Sequence, residues 1–398
     1  MPRILFCWEI GGGLGHLFRI LPLALEFRRR GHQVAAAIKS GSMGENLLRA
    51  HGIDVFSVTE CRPPEKKFPL SQNYAQNLLR NGFWHRESLL SHLAAWLALF
   101  EAWPPDVVVA EHAPTALLAA GKAGLRRVAI GTGFTVPPLV SPMPGLQPWF
   151  SLAEDYLLKS ENNFLDSVNP VLRELGASPL NSVADIFHGV APVLCTFPEL
   201  DHYGPRPDMR YWGPVIYTPP EIEPQWPSGG GDKIFLYLNP ANKYCDRIIE
   251  VLKEMDLTVL AYLPEPAGAD NARFEGTHLR ITRLPVNLTA VAGQCRGMIS
   301  QGGHNAGALM LLAGVPLLFC PMQLEQAVWA HRLCAQGLGG MVNYFDPEPD
   351  FRAKLTSFLA RGAMFDCVGA FAAKYSAFDP AKQAAEIVDH CLSLVPSG

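Results

Sequence analysis

The sequence has little charge of either sign and no block of one sign. Charged residues make up 18 % of 398 positions and the formal net charge is −4, which leaves no electrostatic footprint for nucleic acid. The nine cysteines stand singly, with no C-x-x-C among them. An odd, dispersed set fits a reducing compartment better than a disulfide framework, and it offers no zinc-site spacing. Residues 1–20 lack the basic start and long apolar centre of a signal peptide, so a cytoplasmic protein is expected. No hydrophobic run is long enough for a bilayer: "GALMLLAGVPLLFC", from Gly307 to Cys320, is short and holds Gly314 and Pro316. What is plentiful is apolar residues, 48 % of the chain, which fits a globular protein with large cores. At this length two or three domains are expected.

Glycine is unevenly spent. "WEIGGGLGHLFRILPLA", Trp8 to Ala24, puts four glycines into the positions 11–15 and a histidine directly after them. The preceding "RILFCWEI" is a continuous apolar run, the pattern of a parallel strand buried on both faces. Leu17, Leu21, Ala24 and Leu25 recur at helical spacing, and "EFRRRGH" closes the segment with cations and then Gly31. Gly11 to Gly15 are therefore a strand-to-helix turn, where backbone amides can approach a ligand closely. A dinucleotide fingerprint is excluded: G-x-G-x-x-G from Gly11 needs glycine at 16, where His16 stands, and strand two ends in Lys39 and Ser40 without the ribose-binding acid. No Gly-Lys-Ser/Thr follows to make a phosphate-binding P-loop.

The rhythm strand, helix, strand runs through the chain twice. In the first half "PDVVVAEH" (105–112), "TALLAAGKAG" and "RRVAIGTGF" (126–134) read as strand, helix and strand, and "VAPVLCTFPEL" and "MRYWGPVIY" as two further strands. Sections 60–105 and 137–190 read as irregular and aromatic-rich, with Phe83, Trp84, Trp96, Trp103, Trp149 and Phe150. "TPPEIEPQWPSGGGD", 218–232, has the composition of a linker. The pattern restarts with "KIFLYLNP" and continues to "VPLLFCP". The fold class is α/β, two Rossmann-like doubly wound domains facing across a cleft: 1–217, a linker 218–232, 233–375, and a last helix over 376–398 that crosses back to the first domain. Ligands in such sheets sit at the carboxyl ends of the strands.

The second half has its own glycine turn. In "MISQGGHNAGALMLLAGVPLLFCPMQLEQ", Gly302 and Gly303 open a turn and Asn305 and Gly307 begin a helix, whose N-terminus suits a diphosphate. After the next strand, Gln323, Glu325 and Gln326 offer one carboxylate and two amides, a set able to grip sugar hydroxyls. A plain solvated turn is the competing reading of that loop taken alone.

These two segments resemble the GT-B glycosyltransferases of the broad UDP-glycosyltransferase-like group. "GGLGH…LPLALEFRRRGHQV" is similar to the family's opening "GGxGHxxPxLxLAxxLxxRGHxV" without a gap from Gly12 to Val34, and "ISQGGHNAGALMLLAGVPLLFCPMQLEQ" to its nucleotide-sugar segment "xxHGGxxTxxEALxxGVPxxxxPxxxDQ". "RYWGPVI" resembles the stretch that closes the family's first domain, so the likeness covers the full length. The resemblance implies that His16 is the general base toward the acceptor, that Glu111 stands for the family's orienting Asp, and that Gln301, Gly302, Gly303, His304 and Asn305 lie along the donor diphosphate, with Gln323, Glu325 and Gln326 at the sugar. Glu9, Gly13, Gly15 and His112 fall on the acceptor side of the cleft. The imidazole's ordinary titration range suits such a base near neutral pH. The implied reaction is displacement with inversion, with a UDP- or dTDP-linked sugar as co-substrate, an apolar small molecule or lipid as acceptor, and neither metal nor resident cofactor.

The departures are specific. Gln301 replaces a histidine that donates to the diphosphate, Arg19 replaces a proline, Pro22 appears inside the first helix, and Asn239-Pro240 replaces a Gly-Ser loop. Ala306 and Gly307 replace Ser/Thr positions. They leave open a non-catalytic nucleotide-sugar-binding or partner-activating relative, or a sugar-nucleotide epimerase. The cations Lys66, Lys67, Arg80 and Arg86 lie in the aromatic acceptor half. They fit an anionic acceptor or a peripheral membrane contact, and more economically a solvated face.

Overall fold

The computed structural model describes residues 1–40, 44–59, 61, 70–217, 222–264, 278–343, 346–360 and 362–395. Lys66, Lys67 and the first residues of the 218–232 stretch lie outside the described residues. The chain divides into two compact units, Met1–Val215 together with the segment from Asp379 onward, and Ile216–Phe378.

The first unit is built on a parallel sheet of β1 (Arg3–Trp8), β2 (Gln33–Lys39), β3 (Asp54–Val58), β4 (Val107–Glu111), β5 (Arg126–Gly131) and β6 (Val190–Leu194), in the order β3-β2-β1-β4-β5-β6. Its central strands read "RILFCW" and "VVVAE" and are buried almost throughout, because helices cover both faces of the sheet. The second unit carries β7 (Asp232–Tyr237), β8 (Leu257–Tyr262), β9 (Leu279–Thr282), β10 (Gly297–Ser300), β11 (Leu317–Phe319) and β12 (Gly339–Met341), in the order β12-β11-β10-β7-β8-β9. Counted from its own first strand, this is the same doubly wound order as in the first sheet. Each sheet thus has one switch point, between β1 and β4 and between β7 and β10, and crevices for ligands open there.

Two sequence expectations need correction. "MRYWGPVIY" is not a strand: Tyr211 makes one bridge to Leu194, and Pro205, Pro207 and Pro214 around it cannot donate to a ladder. The supposedly irregular, aromatic-rich sections contain the long helices Arg86–Ala102 and Glu154–Glu174. Leu89, Leu93, Trp96 and Phe100 are all buried and stand at helical spacing, so the aromatics belong to a core stripe. Phe164, Val168 and Val171 do the same for the second helix, around Phe83 and Trp96 in one core. The last helix, Pro380–Ser393, packs within the first unit. Arg30 pairs with Asp389 and donates to the Ala385 carbonyl at 3.0 Å, and Gln383 Nε2 donates to the Gly213 carbonyl at 2.6 Å. Among the described residues no helix is long and apolar enough to cross a membrane.

Candidate active site

β1 and β4 run in register so that Trp8 lies opposite Glu111 at the carboxyl edge of the sheet. After Trp8 the chain turns through Gly11 and Gly13, whose φ angles are 101° and 81°. It enters the helix Leu17–Arg29 with His16 at the N-cap. The imidazole stacks on Trp8, with centroids 5.2 Å apart and planes 22° off parallel. Its Nδ1 meets Oε2 of Glu111 at 2.5 Å. A carboxylate can only accept here, so Nδ1 carries the hydrogen of this bond, and Nε2 is the ring nitrogen that the carboxylate leaves open. That nitrogen sits directly over Gly11, where a Cβ atom would come within 2.4 Å of it.

Glu111 is fully buried, and burial alone would push its carboxyl up. The neighbouring His16 and Arg19 outweigh that and hold it at about 2, so the group is a carboxylate at any physiological pH. Arg19 Nη1 donates to its other oxygen, Oε1. Sequence reasoning registered Arg19 only as a missing proline. Its spacing of three from His16 puts both on one helix face, and that was the available signal.

His112, the residue after Glu111, has a φ of 45° and its carbonyl accepts from Ile10 N at 3.1 Å, tying the two strand ends together. Its ring is buried beside His16, Tyr74 and Phe134, at centroid distances of 6.3, 6.4 and 6.1 Å. Burial lowers its pKa to about 4, with the carboxylate of Glu111 opposing. An unfolded histidine takes up a proton near 6.5, whereas the folded one resists until about 4. Stability from the neutral ring is therefore full above pH 6.5 and is lost as pH falls through that window. Thermal unfolding followed from pH 7 to 4 should lose up to about 3 kcal/mol from this group. His112→Asn, which tolerates the left-handed backbone, should flatten the slope.

Glu9 stands apart from this arrangement. Its oxygens accept from Thr115 N at 2.6 Å, from the Thr115 hydroxyl and from His92 Nε2 at 2.8 Å, capping the helix Pro114–Lys122 from inside the core. The cleft role expected of Glu9 does not fit these bonds; it is a buried helix cap. Gly13 and Gly15 lie exposed in the turn, with nothing within 4 Å of where a Cβ would be. Arg86 pairs with Glu174 at 2.8 Å on the surface, a solvated ion pair.

In the second unit the switch point holds the other glycine turn. Tyr237 and Ser300 end level. Gln301 Oε1 accepts from Asn239 N at 2.9 Å, which fixes the amide with its NH2 group turned the other way. Gly302 has a φ of 98° and Gly303 caps the helix His304–Leu312, with nothing within 4 Å of where a Cβ would be. Gly307 has a packing reason: a Cβ there would come within 2.4 Å of the Trp329 ring. His304 is buried and packs on the same indole, 5.2 Å away, while Asn305 next to it is half-buried. Gln323 is exposed at the N-cap of the helix Leu324–Ala335, and Glu325 is half-buried in its first turn. Gln326 is buried; its Oε1 accepts from Met322 N at 2.9 Å, and its Cβ lies against Gly302. The turn and the polar loop expected at the donor are thus brought together. Among the described residues no three His, Cys, Asp or Glu side chains gather as metal ligands.

No family model matches the chain. It is 24 % identical over 354 residues to L-demethylnoviosyl transferase of Streptomyces niveus, with 82 % of each chain covered. Over the whole length it superposes on the calicheamicin glycosyltransferase with a TM-score of 0.71, at 20 % identity, covering 100 % of this chain and 99 % of that one. The fold is that of the GT-B glycosyltransferases. A further GT-B glycosyltransferase similar to it, VinC, was solved in complex with DTDP (TM-score 0.70, 16 % identity, 99 % of each chain covered).

Proposed function

We propose that this glycosyltransferase moves a sugar from a UDP- or dTDP-linked donor to an acceptor hydroxyl, with inversion at the anomeric carbon and without metal or resident cofactor. The observation that carries the reading is the His16–Glu111 pair, which holds the ring by Nδ1 and leaves Nε2, over Gly11, to serve as the base. Nε2 takes the acceptor's hydroxyl proton while the oxygen attacks the anomeric carbon from the face opposite the nucleotide. The bond to the diphosphate breaks and its electron pair leaves with the diphosphate. Glu111 holds the ring in one tautomer and offsets the charge of the imidazolium as it forms.

The second unit supports the donor half. The helix N-terminus at Gly303 presents its positive dipole end to the departing diphosphate. Gln301 adds two amide donors in place of a charge, and Gln323, Glu325 and Gln326 are the candidates for the sugar hydroxyls. Leu139, Val140 and Phe150 expose apolar surface on the first unit, which suits an apolar small molecule or lipid as acceptor. The structure of VinC with DTDP makes dTDP the first nucleotide to try.

A thermal-shift titration with dTDP and UDP, each with and without EDTA, tests the donor half. Binding at 100 times Kd stabilises the folded state by about 2.7 kcal/mol. The expected result is a shift that EDTA leaves intact. A shift abolished by EDTA overturns the metal-free grip, and no shift with either nucleotide overturns the donor class.

A further inference from the structure

Glu111 does not serve His16 alone: its second oxygen is held by Arg19, whose side chain is 6 % exposed and whose charge is permanent. We propose that Arg19 is a positioning residue of the catalytic pair, and that by cancelling the charge of Glu111 it keeps His16 in the unprotonated form a general base requires. This rests on the reading of His16 as the base.

The argument is one of net charge in a buried place. With Arg19 present, Glu111 and Arg19 cancel, and a proton added to His16 leaves the cluster with one uncompensated positive charge. Without Arg19, the same proton neutralises a lone buried carboxylate and is welcome. Low polarisability makes this difference count. The other groups facing the cluster do not repeat the role. His112, stacked toward His16 from the end of β4, is kept neutral by burial. Lys39 lies over the Trp8 ring and donates to the Gly11 carbonyl at 2.7 Å, in a bond exposed to solvent. Glu9 is consumed by the helix cap, and the buried Tyr74 and Cys195, which feel Glu111 and Arg19 respectively, are pushed up and stay neutral.

The same charge makes the imidazolium formed in the reaction a stronger acid, so the proton passes on to solvent and the base is regenerated. Arg19 also fixes the carboxylate plane from the side opposite His16, which lets Oε2 face Nδ1 in one geometry. A proline at this position offers neither the charge nor a donor.

The test needs no acceptor. Histidine Cε1 proton signals of the full chain are followed against pH in the wild type, Arg19→Gln and Arg19→Lys, and the His16 signal is assigned by its absence in His16→Ala. In Arg19→Gln, which keeps a hydrogen-bond donor and removes the charge, the His16 signal should titrate about 1–3 pH units higher. In Arg19→Lys it should stay near its wild-type position. No shift in Arg19→Gln, or an equal shift in both variants, overturns the proposal. Should Arg19→Gln fail to fold, the charge is removed in the Glu111→Gln background instead, where no carboxylate is left to be exposed. The His16 signal must titrate higher in the double variant than in Glu111→Gln, and an equal or lower position overturns the proposal. Loss of the base role would show separately, as full turnover in His16→Ala, so the two readings fail in different measurements.

Discussion

Replacing His16 by alanine is expected to cut turnover by about 10²–10⁴-fold, the scale on which a positioned general base contributes, and to leave nucleotide affinity nearly unchanged. The split follows from where the parts lie. His16 belongs to the first unit, at the N-cap of the helix after β1, whereas the amides around Gly303 and the Gln301 side chain belong to the second. Calorimetric binding of dTDP or UDP should therefore give matching Kd values for the wild type and the variant, while release of nucleotide from a sugar donor collapses. The fold should tolerate the change, because what disappears is the ring's contacts with Trp8 and His112 and its bond to Glu111 at the mouth of a turn. Leaving Glu111 with Arg19 keeps its charge paired. Full activity of His16→Ala would remove the base from the mechanism and with it the main reason to read the first glycine turn as catalytic.

The two glycine turns were legible because both signals are local. A buried apolar strand, glycines and the start of an apolar helix lie within some twenty consecutive residues in each unit, and spacing alone excluded the dinucleotide and P-loop patterns. What spacing could not supply is the partner that arrives from elsewhere in the chain. Glu9 and Glu111 are both acids at the end of a central strand, and nothing in the neighbouring letters tells a helix cap from a histidine's anchor. Register decides it: Glu111 ends level with Trp8, beside the turn that carries His16. Glu9 turns instead toward Thr115 and His92. Arg19 was hidden for the same reason, since its carboxylate lies 92 positions away. The long helices Arg86–Ala102 and Glu154–Glu174 fall in sections that read as irregular and aromatic-rich, although the spacing of their buried residues is that of a core stripe.

Gly11→Ala should reproduce most of the His16→Ala defect without touching the histidine. A Cβ at position 11 would lie 2.4 Å from Nε2 and 2.9 Å from Cε1 of His16, far inside contact distance. The residue also has a φ of 101°, which an L side chain adopts only at a cost of about 1–2 kcal/mol. The ring must therefore tilt off Trp8 and away from Glu111, or the turn must move; either displaces the proton-accepting nitrogen by more than catalysis tolerates. Turnover should fall at least about 10²-fold, and Tm should fall only by the few degrees that a strained surface turn implies. Gly12→Ala and Gly15→Ala are the controls. Neither position has a positive φ or an atom within 4 Å of its Cβ, so both variants should fold normally and keep kcat. If those glycines admit the acceptor to the backbone, their alanine variants should raise KM for the acceptor instead. The decisive measurement is the double variant: when Gly11 acts only through His16, Gly11→Ala adds nothing further to His16→Ala. Additive losses would mean that Gly11 serves the ligand or the fold in its own right, and the crowding of Nε2 would not be its reason for being glycine.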